Sequence, residues 1–226
     1  MKVTYYGHSC FGVQIAGRSL LFDPFISGNE LARGVEVGKV PADYILISHG
    51  HADHMADAAD IAKRTGATII SNYEITVWFN KQGWEKTHPL NHGGGHQFDF
   101  GRVQFVNAIH SSSLPDGAYG GNPGGFVVLS TEGNFYYSGD TALTMDMKLI
   151  GESTKLKFAA LCIGDNFTMG VEEAVKAADF VRCKEILGLH YNTFPPIQID
   201  KAAAVKKFEA AHKRLHLLLP GESGNF

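Results

Sequence analysis

A chain of 226 residues that is 44% hydrophobic and 19% charged has a globular make-up, long enough to bury a substantial core without crosslinks. Its formal charge of −3 leaves no basic footprint of the kind that general nucleic-acid binding requires, and no Lys/Arg block reads as a membrane-surface patch. Cys10, Cys162 and Cys183 are odd in number and form no CxxC pair, the pattern of reduced thiols in a cytoplasmic protein; no signal-peptide run or membrane-spanning stretch is present.

In chain order, KVTYY, FGVQI and SLLF are short strands separated by GHSC and AGR, which predicts a β-meander. YILIS (44–48) is a continuous apolar strand, buried on both faces by its pattern. MADAADIAKRTG sets Met55, Ala58, Ala59 and Ala62 at helical spacing, with Gly66 as the stop. ATIIS predicts the next strand and YEITVWFNKQG a second helix. Strands return with QFDF and RVQFVNAIH, and GGFVVLS and FYYSGD form a hairpin around TEGN. FAALCIGD is a further buried strand, VEEAVKAADFVR an amphipathic helix, EILGLH a strand, DKAAAVKKFEAAHKR a helix and LHLLLP a closing strand. Each half therefore runs from a meander into β-α-β units. Two sheets packed face to face, with helices outside, satisfy that order in a single domain over 1–226.

SHGHADH follows the buried strand and sets His49, His51, Asp53 and His54 within six residues. Side chains alternate along an extended loop, so His49 and His51 point the same way, and the turn into the next helix swings Asp53 and His54 toward a neighbouring point. Four such ligands on one loop suit two metal ions better than one, because a closed tetrahedral site would leave no room for substrate. Imidazoles with some carboxylate favour zinc, with Mn2+ and Fe2+ as alternatives. Other polar residues also end apolar strands: His110 after RVQFVNAI, Asp140 after FYYSG and His190 after EILGL.

These residues resemble the metal site of the metallo-β-lactamase superfamily. GHSCF, LLFDPF, AIHSS, GFVV, YSGDTAL, IGDNFTMG and HYNTFP extend the resemblance through most of the chain, to a bacterial and archaeal branch of metal-dependent hydrolases related to the L-ascorbate-6-phosphate lactonases. The resemblance implies an α/β fold, the four-layer αββα sandwich, with a binuclear site at one edge. By matching positions it implies that His49, His51 and His110 hold a first divalent ion and that Asp53, His54 and His190 hold a second, with Asp140 bridging. Two divalent ions, two carboxylates and a bridging hydroxide leave the centre about +1, which suits an anionic transition state. The expected activity is hydrolysis of a small ester, lactone or phosphoester, with an anionic substrate preferred. An RNA phosphodiesterase and a diiron redox protein are the alternatives. The first usually carries an added arm or domain. The second resembles a pattern with Glu where this chain has His51, and needs a flavin domain.

Asp53, Asp140 and His8 are the candidates for the reaction itself, although a carboxylate between two metal-binding histidines is better placed as a ligand than as a general base. His8 is expected beside the ions without touching them, bonding substrate or protonating a leaving group. Asp23, in LLFDPF, and Ser111 are expected behind the ligands, holding histidine tautomers. His88, His92 and His96 read as loop histidines, because Pro89 and Gly93–Gly95 oppose a helix there. GAYGGNPGGF (117–126) reads as a loop beside the site, His212 and His216 as surface or core residues in a helix and a strand end, and Cys162 as a small buried side chain. Association into homo-oligomers is left open.

Overall fold

The computed structural model describes residues 1–226. Alternating apolar residues fold the first three strands, β1 (Lys2–Gly7), β2 (Cys10–Ile15) and β3 (Arg18–Phe22), into an antiparallel meander. β4 (Tyr44–Leu46), β5 (Thr68–Asn72) and β6 (Thr87–Leu90) then continue the same sheet in parallel. Helices α1 (Ala52–Met55) and α2 (Ala58–Thr65) make the first crossover, and α3 (Tyr73–Lys81) the second. Gly66 ends α2 at φ +74°, its N–H bonded to the Ala62 carbonyl.

The second sheet repeats the plan. β7 (Gly95–Phe98), β8 (Gly101–Asn107), β9 (Gly124–Leu129) and β10 (Asn134–Tyr137) are antiparallel neighbours. β11 (Leu156–Cys162), β12 (Glu185–Leu189) and β13 (Arg214–His216) follow in parallel, connected through α4 (Asp146–Ser153), α5 (Val171–Phe180) and α6 (Lys201–Ala210). A last strand, β14 (Ser223–Asn225), returns to pair with β1, so the first sheet runs β14-β1-β2-β3-β4-β5-β6 and the second β13-β12-β11-β10-β9-β8-β7.

Between the sheets lies one apolar layer, with Phe22, Leu46, Phe105, Phe126, Phe158 and Leu189 among its fully or nearly fully buried members. Each such side chain contributes roughly 1.5–3 kcal/mol by leaving water. The outer faces are covered by helices: Ile45, Ile61 and Phe79 pack on one sheet, Leu161, Ala178 and Phe208 on the other. β4 shows why its sequence had to be apolar throughout, since Leu46 faces the inner layer and Ile45 the outer one. The molecule is thus the αββα sandwich that the sequence implied.

Four elements differ from the sequence reading. THPL is a strand, not a loop: β6 is the edge of its sheet, where Pro89 can sit without depriving a neighbour of a ladder bond. His88 therefore lies on β6 and His96 on β7, with ring centroids 4.1 Å apart. α4 and β14 were not anticipated; the second is built from Ser, Gly and Asn and shows no apolar alternation. α6 ends at Ala210, leaving His212 beyond the helix at φ +56°, while His216 lies in β13 and bonds Glu185. Cys10, Cys162 and Cys183 are free and buried. No helix is long and apolar enough to cross a membrane.

Candidate metal centre

Loops leaving the strand ends of both sheets meet at one edge of the sandwich. The loop after β4 carries His49 and His51; His51 then caps α1 in extended conformation, and the single turn of α1 presents Asp53 and His54. The loop after β8 brings His110, the end of β10 brings Asp140, and the end of β12 brings His190. The two sheets are tied here by the Gly124 N–H, which donates to the Ser48 carbonyl at 3.1 Å.

All seven sequence candidates converge. The ligand atoms of His49, His51 and His110 lie within 4.8 Å of one another, and so do those of His8, Asp53, His54 and His190. His49 Nε2 and His51 Nδ1 are 2.9 Å apart. Asp140 stands between the groups: one oxygen, Oδ2, lies 2.9 Å from His190 Nε2, 3.2 Å from His54 Nε2 and 3.7 Å from His110 Nε2. Its other oxygen, Oδ1, is buried without a partner, as are His54 Nε2 and His190 Nδ1.

Behind these groups Asp23 is fully buried at φ +39° and accepts four contacts. They come from the Ser48 N–H at 2.7 Å, Ser48 Oγ at 2.5 Å, Tyr137 Oη at 2.6 Å and His54 Nδ1 at 2.7 Å. His54 Nδ1 donates its proton to Asp23, which leaves Nε2 turned toward Asp140. Because Ser48 Oγ gives its proton to Asp23, it accepts from His49 Nδ1 at 2.9 Å, which frees His49 Nε2 in the same way. Ser111 Oγ is 3.4 Å from His51 Nε2, a long contact. Ser48 and Tyr137 were not singled out in the sequence, where each reads as an ordinary strand residue.

His8 lies in the turn between β1 and β2 at φ +55°, after Gly7 at φ +113°, and has no exposed surface. Its Nε2 meets Asp53 Oδ2 at 3.2 Å and its Nδ1 meets Thr193 Oγ1 at 2.9 Å. Its carbonyl accepts from the His190 N–H at 2.9 Å, and His190 is itself at φ +55°. Both ring nitrogens are engaged, so His8 orients Asp53 and has no free atom for an incoming molecule. Thr193, its second partner, lies within HYNTFP but was not singled out there.

Electrostatics show what the cluster needs. Burial pushes the His49, His51 and His110 imidazoles below their ordinary range, which keeps their lone pairs free. Burial also pushes His8 down to about 4, against the hydrogen bond to Asp53. Asp53 and Asp140 go the other way. Burial would raise both, but the His8 hydrogen bond holds Asp53 well below the usual carboxylate range, and His54 and His190 do the same for Asp140. His54 is the exception among the rings: burial opposes its charge, yet Asp140 and Asp23 hold it well above its usual value. Buried carboxylates that force a proton onto a buried imidazole are asking for a cation. Free lone pairs, orphaned Nε2 and Oδ1 atoms and a mixed imidazole–carboxylate set fit divalent metal of the zinc type.

The family described as the beta-lactamase superfamily domain matches residues 2–190. A metal-dependent hydrolase of Methylacidiphilum infernorum is 54% identical over 223 residues, 99% of each chain, and one of Flavobacterium johnsoniae 52% identical over the same share. Among solved structures, a metallo hydrolase from the archaeon Ignicoccus hospitalis superposes with a TM-score of 0.89 at 34% identity, covering 100% of this chain and 98% of that one. An isothiocyanate hydrolase from Delia radicum gut bacteria has a TM-score of 0.81 at 20% identity, covering 100% and 99%, a likeness of fold. With a family match over most of its length and relatives above half identity, this chain belongs to the metallo-β-lactamase superfamily, within a branch of metal-dependent hydrolases.

Proposed function

We propose that this metal-dependent hydrolase works with two divalent ions, one held by His49, His51 and His110 and the other by Asp53, His54 and His190. Its substrate is a small ester, lactone or phosphoester. The position of Asp140 carries the reading: a single oxygen within 3.7 Å of histidines from both groups is placed to be shared, and a lone mononuclear site would leave it without that use. Ions bound there supply Lewis acidity and water activated to a nucleophile near neutral pH.

The protein's own groups divide the remaining work. Asp23 and Ser48 fix the tautomers of His54 and His49. His8 fixes the orientation of Asp53, and Thr193 fixes His8. His49, His54 and His190 are buried, whereas His51, Asp53 and His110 keep part of their surface. Substrate therefore enters past the latter three.

Metal analysis tests the reading directly. After zinc saturation and dialysis the chain should retain two ions, and Asp140→Asn should retain one or fewer. The zinc-loaded protein should hydrolyse members of a panel of lactones, phosphodiesters and thioesters, and a chelator should abolish that turnover. One ion per wild-type chain would count strongly against the binuclear centre.

A further inference from the structure

Six stretches carry the site residues or the loops bonded to them, residues 23–32, 48–57, 108–123, 138–146, 163–173 and 190–200, with Arg33, Lys148 and Lys201 just beyond their ends. None of the chain's 20 lysines and arginines falls in any of them. The segments carry exposed acids instead, among them Asp116, Asp146 and Asp165. An anionic substrate tail therefore finds no lysine or arginine there and meets a field of its own sign.

The same stretches present large apolar side chains. Ile109 is 53% exposed, Tyr119 63% and Phe167 55%, although the chain buries most residues of this kind. Their positions are fixed to the site by hydrogen bonds. Thr141, next to Asp140, receives the Ile109 N–H on Oγ1 at 2.9 Å and the Met169 N–H on its carbonyl at 2.9 Å, which draws Ile109 and the loop of Phe167 beside that carboxylate. Gly50, between His49 and His51, donates its N–H to Ser112 Oγ at 3.1 Å, and Ser113 pairs with Tyr119. On the opposite side Phe25 and half-buried Phe194 flank His8, with ring centroids 5.7 and 5.4 Å from its ring and 6.4 Å from each other. Asp23 also places a third carboxylate, fully buried, beside His54.

We infer that the substrate is a small neutral electrophile bearing an apolar or aromatic substituent, which lies against Phe194 on one side or Phe167 and Ile109 on the other. This rests on the hydrolase reading above and narrows it: negative charge develops only at the reacting group. Hydrolysis joins the oxygen of water to the electrophilic carbon, breaks that carbon's bond to the departing oxygen and leaves one proton of the water on that oxygen, so no further reactant is required. Apolar contacts reward the substituent in proportion to the surface they cover, whereas a carboxylate in the same place loses water without gaining a partner.

Three esters with one leaving group test this on the zinc-loaded protein: p-nitrophenyl 3-phenylpropionate, p-nitrophenyl acetate and mono-p-nitrophenyl succinate. The phenylpropionate should exceed the succinate at least tenfold in kcat/KM, and added salt should raise only the succinate rate. Phe194→Ala and Phe167→Ala, made separately, should show which wall is used: in one of them the phenylpropionate KM should rise about tenfold while that of the acetate changes little. A succinate rate equal to or above that of the phenylpropionate would overturn the inference. If no ester is turned over, the failure belongs to the choice of reaction, and binding decides. Ligand-observed NMR with N-benzylacetamide and its 4-carboxylate should then show the neutral compound bound and the anion not, and the reverse would overturn the inference.

Discussion

Asp23 accepts from His54, from Tyr137 and twice from Ser48, and through Ser48 it also sets the tautomer of His49. An asparagine of the same shape presents one acceptor oxygen and a donor NH2, so at least one of these groups would face a donor. Asp23→Asn should weaken zinc binding about 10–100-fold, the usual cost of losing the group behind a ligand histidine. Chelator competition would measure it, and wild-type affinity would remove the role. His8→Gln makes a complementary case. Glutamine can still donate to Asp53, so both ions should be retained while kcat falls about tenfold through a looser Asp53. Loss of an ion would make His8 a ligand, and an unchanged kcat would leave it a structural residue. At this scale the sequence was most legible where polar residues interrupt apolar strands, as at His49, His110, Asp140 and His190. Ser48, Tyr137 and Thr193 were hidden because each suits an ordinary strand or turn. Only packing between elements distant in sequence gives them their partners.

Strand ends are held in place by close backbone approaches. A Cβ on Gly164, at the end of β11, would lie 2.0 Å from the His190 carbonyl oxygen, and one on Gly151, in α4, would lie 2.2 Å from the Phe180 carbonyl. Neither obstacle is a side chain that can turn aside. Gly164→Ala and Gly151→Ala should each cost roughly 1–3 kcal/mol, the range for overpacking. Only the first should also weaken zinc binding, because it displaces His190, whereas the second disturbs the packing of α4 on α5. Denaturant unfolding with zinc competition separates them, and an unchanged zinc affinity in Gly164→Ala would show that the centre tolerates movement after β12. The elements themselves were legible where periodicity was strong, as in α2, α5 and the run through β4. β6 was missed because Pro89 reads as a breaker until the strand is known to be an edge, and β14 because three small or polar residues pair with β1 through backbone alone.

Across the whole molecule, the candidate ligands divide between the halves. His49, His51, Asp53 and His54 leave the first sheet, while His110, Asp140 and His190 leave the second. The inner apolar layer draws on both sheets, so neither can present that face to water by itself. The crossing by β14 adds a backbone tie from the end of the second half to the first strand. A metal ion held by groups from both halves would bind the folded chain alone, and at a thousand times its dissociation constant it adds about 4 kcal/mol to stability. For a chain of this length, that corresponds to a change in Tm on the order of 10 °C. Removing zinc with a chelator should therefore lower Tm by at least that amount, and the chain should still melt in one cooperative step. Calorimetry on loaded and stripped protein would measure both features. Two separate transitions after stripping, with only one sensitive to zinc, would mean that the halves are joined mainly by metal and that the shared apolar layer does not make them one folding unit.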